Sequence, residues 1–563
     1  MKHIEITFPK LNHFWLDSGL LGLIIMLEEV DNSIEKKISD KGMTLIGAES
    51  EIQKALEKAY DLLVNRYYNT STKKQKDDIS SYNFYYDSKE DKFIPFPKRK
   101  SVGIAELIFN KAPRPIGSSI KWERKEKKEI IVDGKTIKRN RGFLPSSHAH
   151  LQKKMDEFLD NLGLDVTTSG LLVDGPNAVR PNVKIPKKFY SPVKGQCYLC
   201  GEDSFLLEEV GQTIFPFITG SSGLLNFNTK CSKPEKVCWR CAFIGKFVPV
   251  NGFYFRQGDN LFAFFPYSVS LEKMLDVYTV IQDAKYEDPN LLKNFQHPLG
   301  FEKYADAYFQ KTFEVTFAFL YTLYRKVLLQ QKAEDDVGVL DFEKMCALVI
   351  SKAPLEFVVL HAESKGQTSM GKMVWPFRDS VYFFRLIENV EKSGINIKEV
   401  MRLLIDFSQR NENRTLIRNR VCERFLKKQS ILELIESYIF SAEINFIKPL
   451  ADLVYKYESI IRKEGNMTID AQEAAVTLGK RIGMTVAENG KKGDLFALRK
   501  ARRKTDFLNE LNRLQFKCNL VVPPDIYEGK LTDSNFVEFK QFCMIAALNS
   551  FYAAMQSNKG GKS

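Results

Sequence analysis

Cys197-Tyr-Leu-Cys200 and Cys238-Trp-Arg-Cys241 divide this chain into two halves of different texture and carry its most specific chemistry. A Cys-x-x-Cys turn presents two sulfurs from one knuckle. Two knuckles supply the four soft donors that a tetrahedral Zn²⁺ ion takes, with no position left for water. The spacing therefore predicts one closed, structural zinc site made by Cys197, Cys200, Cys238 and Cys241. The pairs stand further apart than the roughly 15 to 20 residues of a compact ribbon, so the inserted segment is expected to loop out and return. A redox dithiol is the alternative, although that motif needs only one pair in a βαβ setting. Cys231 is a candidate substitute ligand, and Cys346, Cys422, Cys518 and Cys543 read as scattered buried thiols.

Upstream of the first pair, strands and helices mix. The start alternates apolar and polar residues as a strand does, Gly19 to Gly22 reads as a turn, and Glu51 to Tyr68 has amphipathic helical spacing. The polar tract Asn69 to Asp91 reads as a connection. Within Lys121 to Arg141, an Asp133-Gly134 turn between Ile130-Ile-Val132 and Lys135-Thr-Ile137 predicts a basic β-hairpin. Its Lys125, Lys128, Arg139 and Arg141 are candidate nucleic-acid contacts. Between the knuckles, Thr213 to Lys230 is rich in Gly, Ser and Asn, a composition that lets backbone approach a ligand. Ser221, Ser222, Asn226, Asn228 and Lys230 are its candidate contacts.

Downstream, Phe253, Phe255, Phe262 and Phe264 alternate as in strands, and after Leu271 apolar residues recur at three- and four-residue steps. The end of the chain reads as three helices, Ala471 to Met484, Asp494 to Phe516 and Ser534 to Met555. On the second, Phe496, Leu508, Leu511 and Leu514 are expected inward, with Arg499, Lys500, Arg502, Arg503 and Lys504 around the other face. The fold class is thus α+β: a mixed α/β N-terminal half with a zinc-knuckle insertion, then a mostly α-helical half ending in a small bundle. The expected segments are 1–190, 191–270, 271–466 and 467–563.

A net charge of +13 suits a polyanionic partner, and its dispersal in several Lys/Arg clusters suits a long track more than one phosphate pocket. Lys480, Arg481, Arg499, Arg502 and Arg503 are the candidate track residues for single-stranded DNA. No apolar run of about 18 residues and no signal-peptide pattern occurs, so a cytoplasmic protein without a membrane partner is expected. Catalytic signatures fail one after another. Gly366-Gln-Thr-Ser-Met-Gly371-Lys372 follows a strand-like run but continues with Met373 where a phosphate loop needs Ser or Thr, and Pro376 interrupts any helix. Asp525 and Glu528 share one short loop, and His148-Ala-His150, read as a strand with both rings on one face, has no carboxylate cluster beside it. The chain reads as a binder, not an enzyme.

Together, the two knuckles, the intervening PFITGSSGLLNFNT loop and the tail GKRIG…LFALRKARRKTDFLNELNRLQ resemble the large subunit of a type I CRISPR effector complex. The likeness is to the Cas-eight family of Cascade, of the type I-B or I-A variety, with a fused small-subunit-like end. The resemblance implies a subunit that binds CRISPR RNA with other Cascade backbone and small subunits. It would read a protospacer-adjacent motif in target double-stranded DNA, aid R-loop formation and hold the displaced single strand. A nuclease-helicase or transposition factors would then be recruited. In some relatives the small subunit starts inside the large-subunit gene, and Met467, with Met401 as its competitor, is the candidate start. The alternative function is a zinc-containing RNA-binding or RNA-modifying enzyme, in which the His148/His150 region supplies chemistry. A scaffold for acidic proteins is a third reading.

Overall fold

The computed structural model describes the chain outside residues 1–2, 31–32, 72, 100, 102–103, 106–118, 133–134, 167, 176–180, 182, 210–235, 279–308, 326–354, 366–367, 443, 462–466 and 561–563. The described residues are mixed α+β with a helical C-terminal half. They fall into two units, residues 1–279 with 353–376 and residues 280–352 with 377–563. The segment expected to be helical from 271 thus returns a strand pair, near 356–377, to the first unit.

In the first unit, β1 (His3–Pro9) alternates as its sequence predicts, with Ile4, Ile6 and Phe8 buried and His3, Glu5 and Thr7 exposed. It pairs with β3 (Gly42–Ala48), which also pairs with β2 (Glu35–Ser39), so β1 is an edge strand of the order β1-β3-β2. Helix α1 (Phe14–Val30) is buried on every side from Trp15 to Leu27, as a helix apolar all round must be. Gly19 and Gly22, read above as a turn, lie inside it. A Cβ on either would run into the carbonyl oxygen of Ile244 or Phe247, so these glycines serve close packing. Helix α2 (Glu49–Leu63) and a π turn (Val64–Tyr68) occupy the predicted helical stretch.

The tract read as a connection holds α3 (Lys73–Asp77) and β4 (Asn83–Asp87), and β5 (Lys92–Phe96) follows. Strands β4 and β5 join β6 (Ser119–Lys121) and β9 (Gly170–Val173) in the order β5-β4-β9-β6. The basic hairpin is present as β7 (Arg124–Val132) and β8 (Lys135–Phe143), and the pairing of Val132 with Lys135 fixes the two-residue connection. His148 closes a 3-10 turn and His150 lies in α4 (Ala149–Leu162), so the histidines do not share a strand face.

Short ladders β10 (Gly195–Gln196) with β11 (Asp203–Ser204), and β12 (Leu207–Glu208) with β13 (Val237–Cys238), lead into α5 (Trp239–Ile244). The last sheet runs β14 (Phe253–Gln257), β15 (Asn260–Tyr267), β16 (Glu356–Lys365) and β17 (Thr368–Phe377). The near phosphate loop falls on this β16–β17 connection and in β17, where Lys372 pairs with Glu363 at 2.5 Å.

The second unit contains α6 (Thr312–Leu323), α7 (Ser380–Lys392), α8 (Ile397–Leu403), α9 (Leu416–Leu426), α10 (Leu432–Ser441) and α11 (Lys448–Ile461). Helices α12 (Ile469–Asn489), α13 (Lys492–Lys500), α14 (Lys504–Cys518) and α15 (Phe536–Gly560) complete it. The long helix expected from Asp494 is two helices. Ala501 turns the chain, Lys540 Nζ donates to the carbonyls of Arg499 (3.3 Å) and Ala501 (2.8 Å), and Asp506 accepts from Arg503 N at 3.2 Å to start α14. The inward residues are Leu495, Leu498, Phe507, Leu511 and Leu514, with Phe496 and Leu508 only partly buried.

Helix α12 buries small residues one turn apart, Ala471, Ala475, Gly479 and Gly483, and meets α15 at the two glycines. A Cβ on Gly479 would clash with the Cys543 carbonyl and come within 2.7 Å of Ala546 Cβ. Gly479→Val is therefore expected to lower stability by about 1–3 kcal/mol through overpacking. Gly493→Ala, with nothing within 4 Å of its new methyl, should raise it by about 0.5 kcal/mol. Urea unfolding of the two variants checks the contrast, and equal loss in both would remove the close-approach explanation.

Candidate metal centre and nucleic-acid surface

The two knuckles form one cluster. Gly201, left-handed at φ +73°, closes the first turn, with its N–H on the Cys197 carbonyl at 2.9 Å. In the second, Cys238 caps α5. Backbone bonds from Tyr198 N to Lys236 O and from Trp239 N to Leu206 O, each 3.1 Å, tie each knuckle to the chain flanking the other, and Cys238 N donates to Cys197 Sγ at 3.2 Å.

Cys197 Sγ lies 3.9 Å from Cys241 Sγ, Cys200 Sγ lies 3.8 Å from Cys238 Sγ, and all four sulfurs fall within 4.8 Å of one another. A tetrahedron with metal–sulfur bonds of about 2.3 Å has edges of about 3.8 Å, so the four thiols fit a single metal ion and are too far apart for disulfides. Cys197, Cys238 and Cys241 are buried and Cys200 is half-buried. Thiol hydrogen bonds with Cys200, Cys238 and Cys241 pull the Cys197 pKa down, while those with Cys197, Cys200 and Cys238, and burial, push Cys241 up. Four such groups cannot all ionise without a cation among them.

No family model matches the chain, and no curated protein does. What the site can do is therefore read from its geometry.

The inserted segment leaves β12 and re-enters at β13, and Leu207 faces Cys238 across that ladder. Its two ends are thus adjacent antiparallel strands anchored at the cluster. Ser221, Ser222, Asn226, Asn228, Lys230 and Cys231 lie outside the described residues.

The hairpin candidates are largely engaged within the protein. Arg141 is bonded to Asp160 and stands 3.6 Å from Asp156 on α4, which raises its pKa through the Asp160 hydrogen bond. The Arg139 guanidinium lies over Gly163, 2.7 Å from where a Cβ would sit, and Lys125 donates to the Thr168 carbonyl at 2.6 Å. Outward charges neutralise one another in pairs, Arg124 with Glu126 at 3.2 Å and Lys138 with Glu129 at 3.1 Å. Lys128 keeps its place in β7, and its side chain is outside the described set.

In the tail, Lys480, Arg481, Arg502 and Arg503 are exposed. Arg499 is not part of that surface. Its Nε and Nη2 donate to Glu436 at 2.7 and 3.2 Å, and its guanidinium lies 4.9 Å from the Phe440 ring centre. Sequence reading missed Arg240, inside the second knuckle, which donates to the Thr7 carbonyl at 2.8 Å and to Glu202 at 2.6 Å. No local signal marks a partner so far away in sequence.

Among the described residues, no helix is long and apolar enough to cross a membrane.

Proposed function

We propose that the chain is the non-catalytic large subunit of an RNA-guided surveillance complex of the Cascade type, with Zn²⁺ as the ion of its four-cysteine cluster. One observation carries the reading: the Cys197/Cys200/Cys238/Cys241 cluster pins both ends of the Gly/Ser/Asn-rich segment through the Leu207–Cys238 pairing. A closed all-sulfur site does no chemistry and fixes a loop, which suits contact with duplex DNA beside the guide-paired strand. The exposed Lys480, Arg481, Arg502 and Arg503 would hold the displaced strand through its phosphates. Met467 directly precedes Thr468, whose Oγ1 caps α12 at 3.2 Å, whereas Met401 lies buried inside α8. A separately started small subunit would therefore begin at Met467, at an element boundary. Such a complex works in the cytoplasm.

The test is duplex binding by the chain co-purified with CRISPR RNA and its partner subunits, across all sequences of the short motif flanking the target. Binding that depends on the motif supports the reading. Absence of CRISPR RNA from the purified complex, or binding indifferent to the motif, rejects it. Replacing Lys480, Arg481, Arg502 and Arg503 together with Ala should weaken single-strand binding for every sequence. The slope of log K against log salt should become shallower by about 3 for four lost phosphate contacts. Arg499→Ala, which empties an internal ion pair, should leave that slope unchanged. An unaltered slope in the quadruple variant removes the tail from the DNA track.

A further inference from the structure

A cleft of about 420 Å³ opens beside the second knuckle, within the usual size of ligand sites. Phe189, Tyr190, Phe205 and Trp239 line it, with the Phe189 and Trp239 ring centres 5.6 Å apart and Tyr190 64% exposed. Its polar lining is acidic. Glu5, Glu202 and Asp203 are exposed there, and among the described lining residues the one cation, Arg240, is already held by Thr7 O and Glu202. In a chain of net charge +13, this wall of carboxylates with the exposed Tyr190 ring repels phosphate and attracts an organic cation.

The cleft also adjoins a sheet edge. Glu5, Ile6 and Thr7 of the edge strand β1 line it. Thr7 and Thr44 are cross-strand partners whose hydroxyls lie 3.0 Å apart, the short approach of a non-hydrogen-bonded pair, and the Thr7 carbonyl points away from β3 to Arg240. By the alternation of an antiparallel ladder, the N–H and C=O of Glu5 and the N–H of Thr7 point outward as well. Among the described residues no strand pairs with that edge.

We propose that this edge and cleft bind an extended segment of a partner protein, which adds as a strand beside β1 and places one arginine or lysine side chain in the cleft. Main-chain bonds to Glu5 and Thr7 would give affinity, and the charge and stacking in the cleft would give selectivity. The inference is independent of the nucleic-acid reading, since the carboxylates that favour the peptide disfavour a phosphate backbone.

Fluorescence polarisation with the full chain tests it, using a labelled peptide of alternating β-branched residues around a central arginine. Two control peptides carry citrulline in place of that arginine, or N-methyl groups on the backbone edge that would pair. The arginine peptide should bind at least about tenfold more tightly than either control. The double variant Glu5→Gln/Asp203→Asn, which spares the Glu202–Arg240 bond, should reduce its binding to the level of the citrulline peptide while near-ultraviolet circular dichroism stays unchanged. No binding, equal binding of the arginine and citrulline peptides, or an unaffected double variant overturns the cleft. Undiminished binding of the N-methylated peptide overturns strand addition.

Discussion

Cys238→Ser is expected to abolish metal binding and to lower the stability of the first unit by more than about 4 kcal/mol. That is the contribution of an ion present at about a thousand times its dissociation constant. Cys238 does three things at once. It offers a buried sulfur to the cluster, caps α5 by accepting from Cys241 N at 3.5 Å, and pairs with Leu207 where the inserted segment begins. Serine could still cap, but its hydroxyl is a poor ligand for a soft ion beside three thiolates. Cys200→His separates metal loss from packing loss, because Cys200 is the half-buried member and an imidazole can complete a three-cysteine, one-histidine site. Elemental analysis should find one zinc per chain in the wild type and in Cys200→His, and almost none in Cys238→Ser. Melting temperatures should follow the same order, and a chelator should bring the wild type down to the Cys238→Ser value. Wild-type protein without metal, or a Cys238→Ser melt equal to the wild type, would sink the assignment.

The cluster was legible because its information is local: each Cys-x-x-Cys turn declares itself, and four sulfurs have few ways to meet. The hairpin around Asp133-Gly134 and the helical tail were legible for the same reason. Misreadings arose where the deciding partner is far away in sequence. Gly19 and Gly22 carry a turn signal, yet the backbone of Ile244 and Phe247 makes them packing residues. The stretch Arg499 to Asp506 has no proline or glycine to mark a break, and the lysine that stabilises that break, Lys540, comes from α15. Arg499 and Arg141 looked like free cations because Glu436 and Asp160 are not their neighbours in the chain. Charge counts overstate a nucleic-acid surface until such pairs are removed, and here removal shifts the candidate track to Lys480, Arg481, Arg502 and Arg503.

Arg418→Ala is expected to cost the second unit about 3–5 kcal/mol, the usual effect of stranding one member of a buried ion pair. Arg418 Nε donates to Glu314 Oε2 at 2.8 Å, and both side chains are fully buried. Glu314 also organises the start of α6: its Oε1 accepts from Gln310 N at 2.7 Å, Lys311 N at 2.9 Å and Thr415 Oγ1 at 3.1 Å. Asn419 Oδ1 accepts from Phe313 N at 3.1 Å and Glu314 N at 3.3 Å beside it, so α9 supplies an acceptor for exposed donors of the α6 N-terminus while Thr415 and Arg418 hold the Glu314 carboxylate. Without Arg418 the carboxylate keeps its amide donors but loses its counter-charge and the cation stacked 4.1 Å over Phe309. The double variant Glu314→Gln/Arg418→Met should recover most of the loss, since the amide oxygen can still accept at the helix start and methionine fills the arginine's volume without a charge. Hydrogen exchange of the α6 and α9 amides reads this within one unit, where a global melt of a two-unit chain would blur it. Equal deprotection in Arg418→Ala and in the double variant would mean that neither the stranded charge nor the lost volume sets the cost, and would overturn this account.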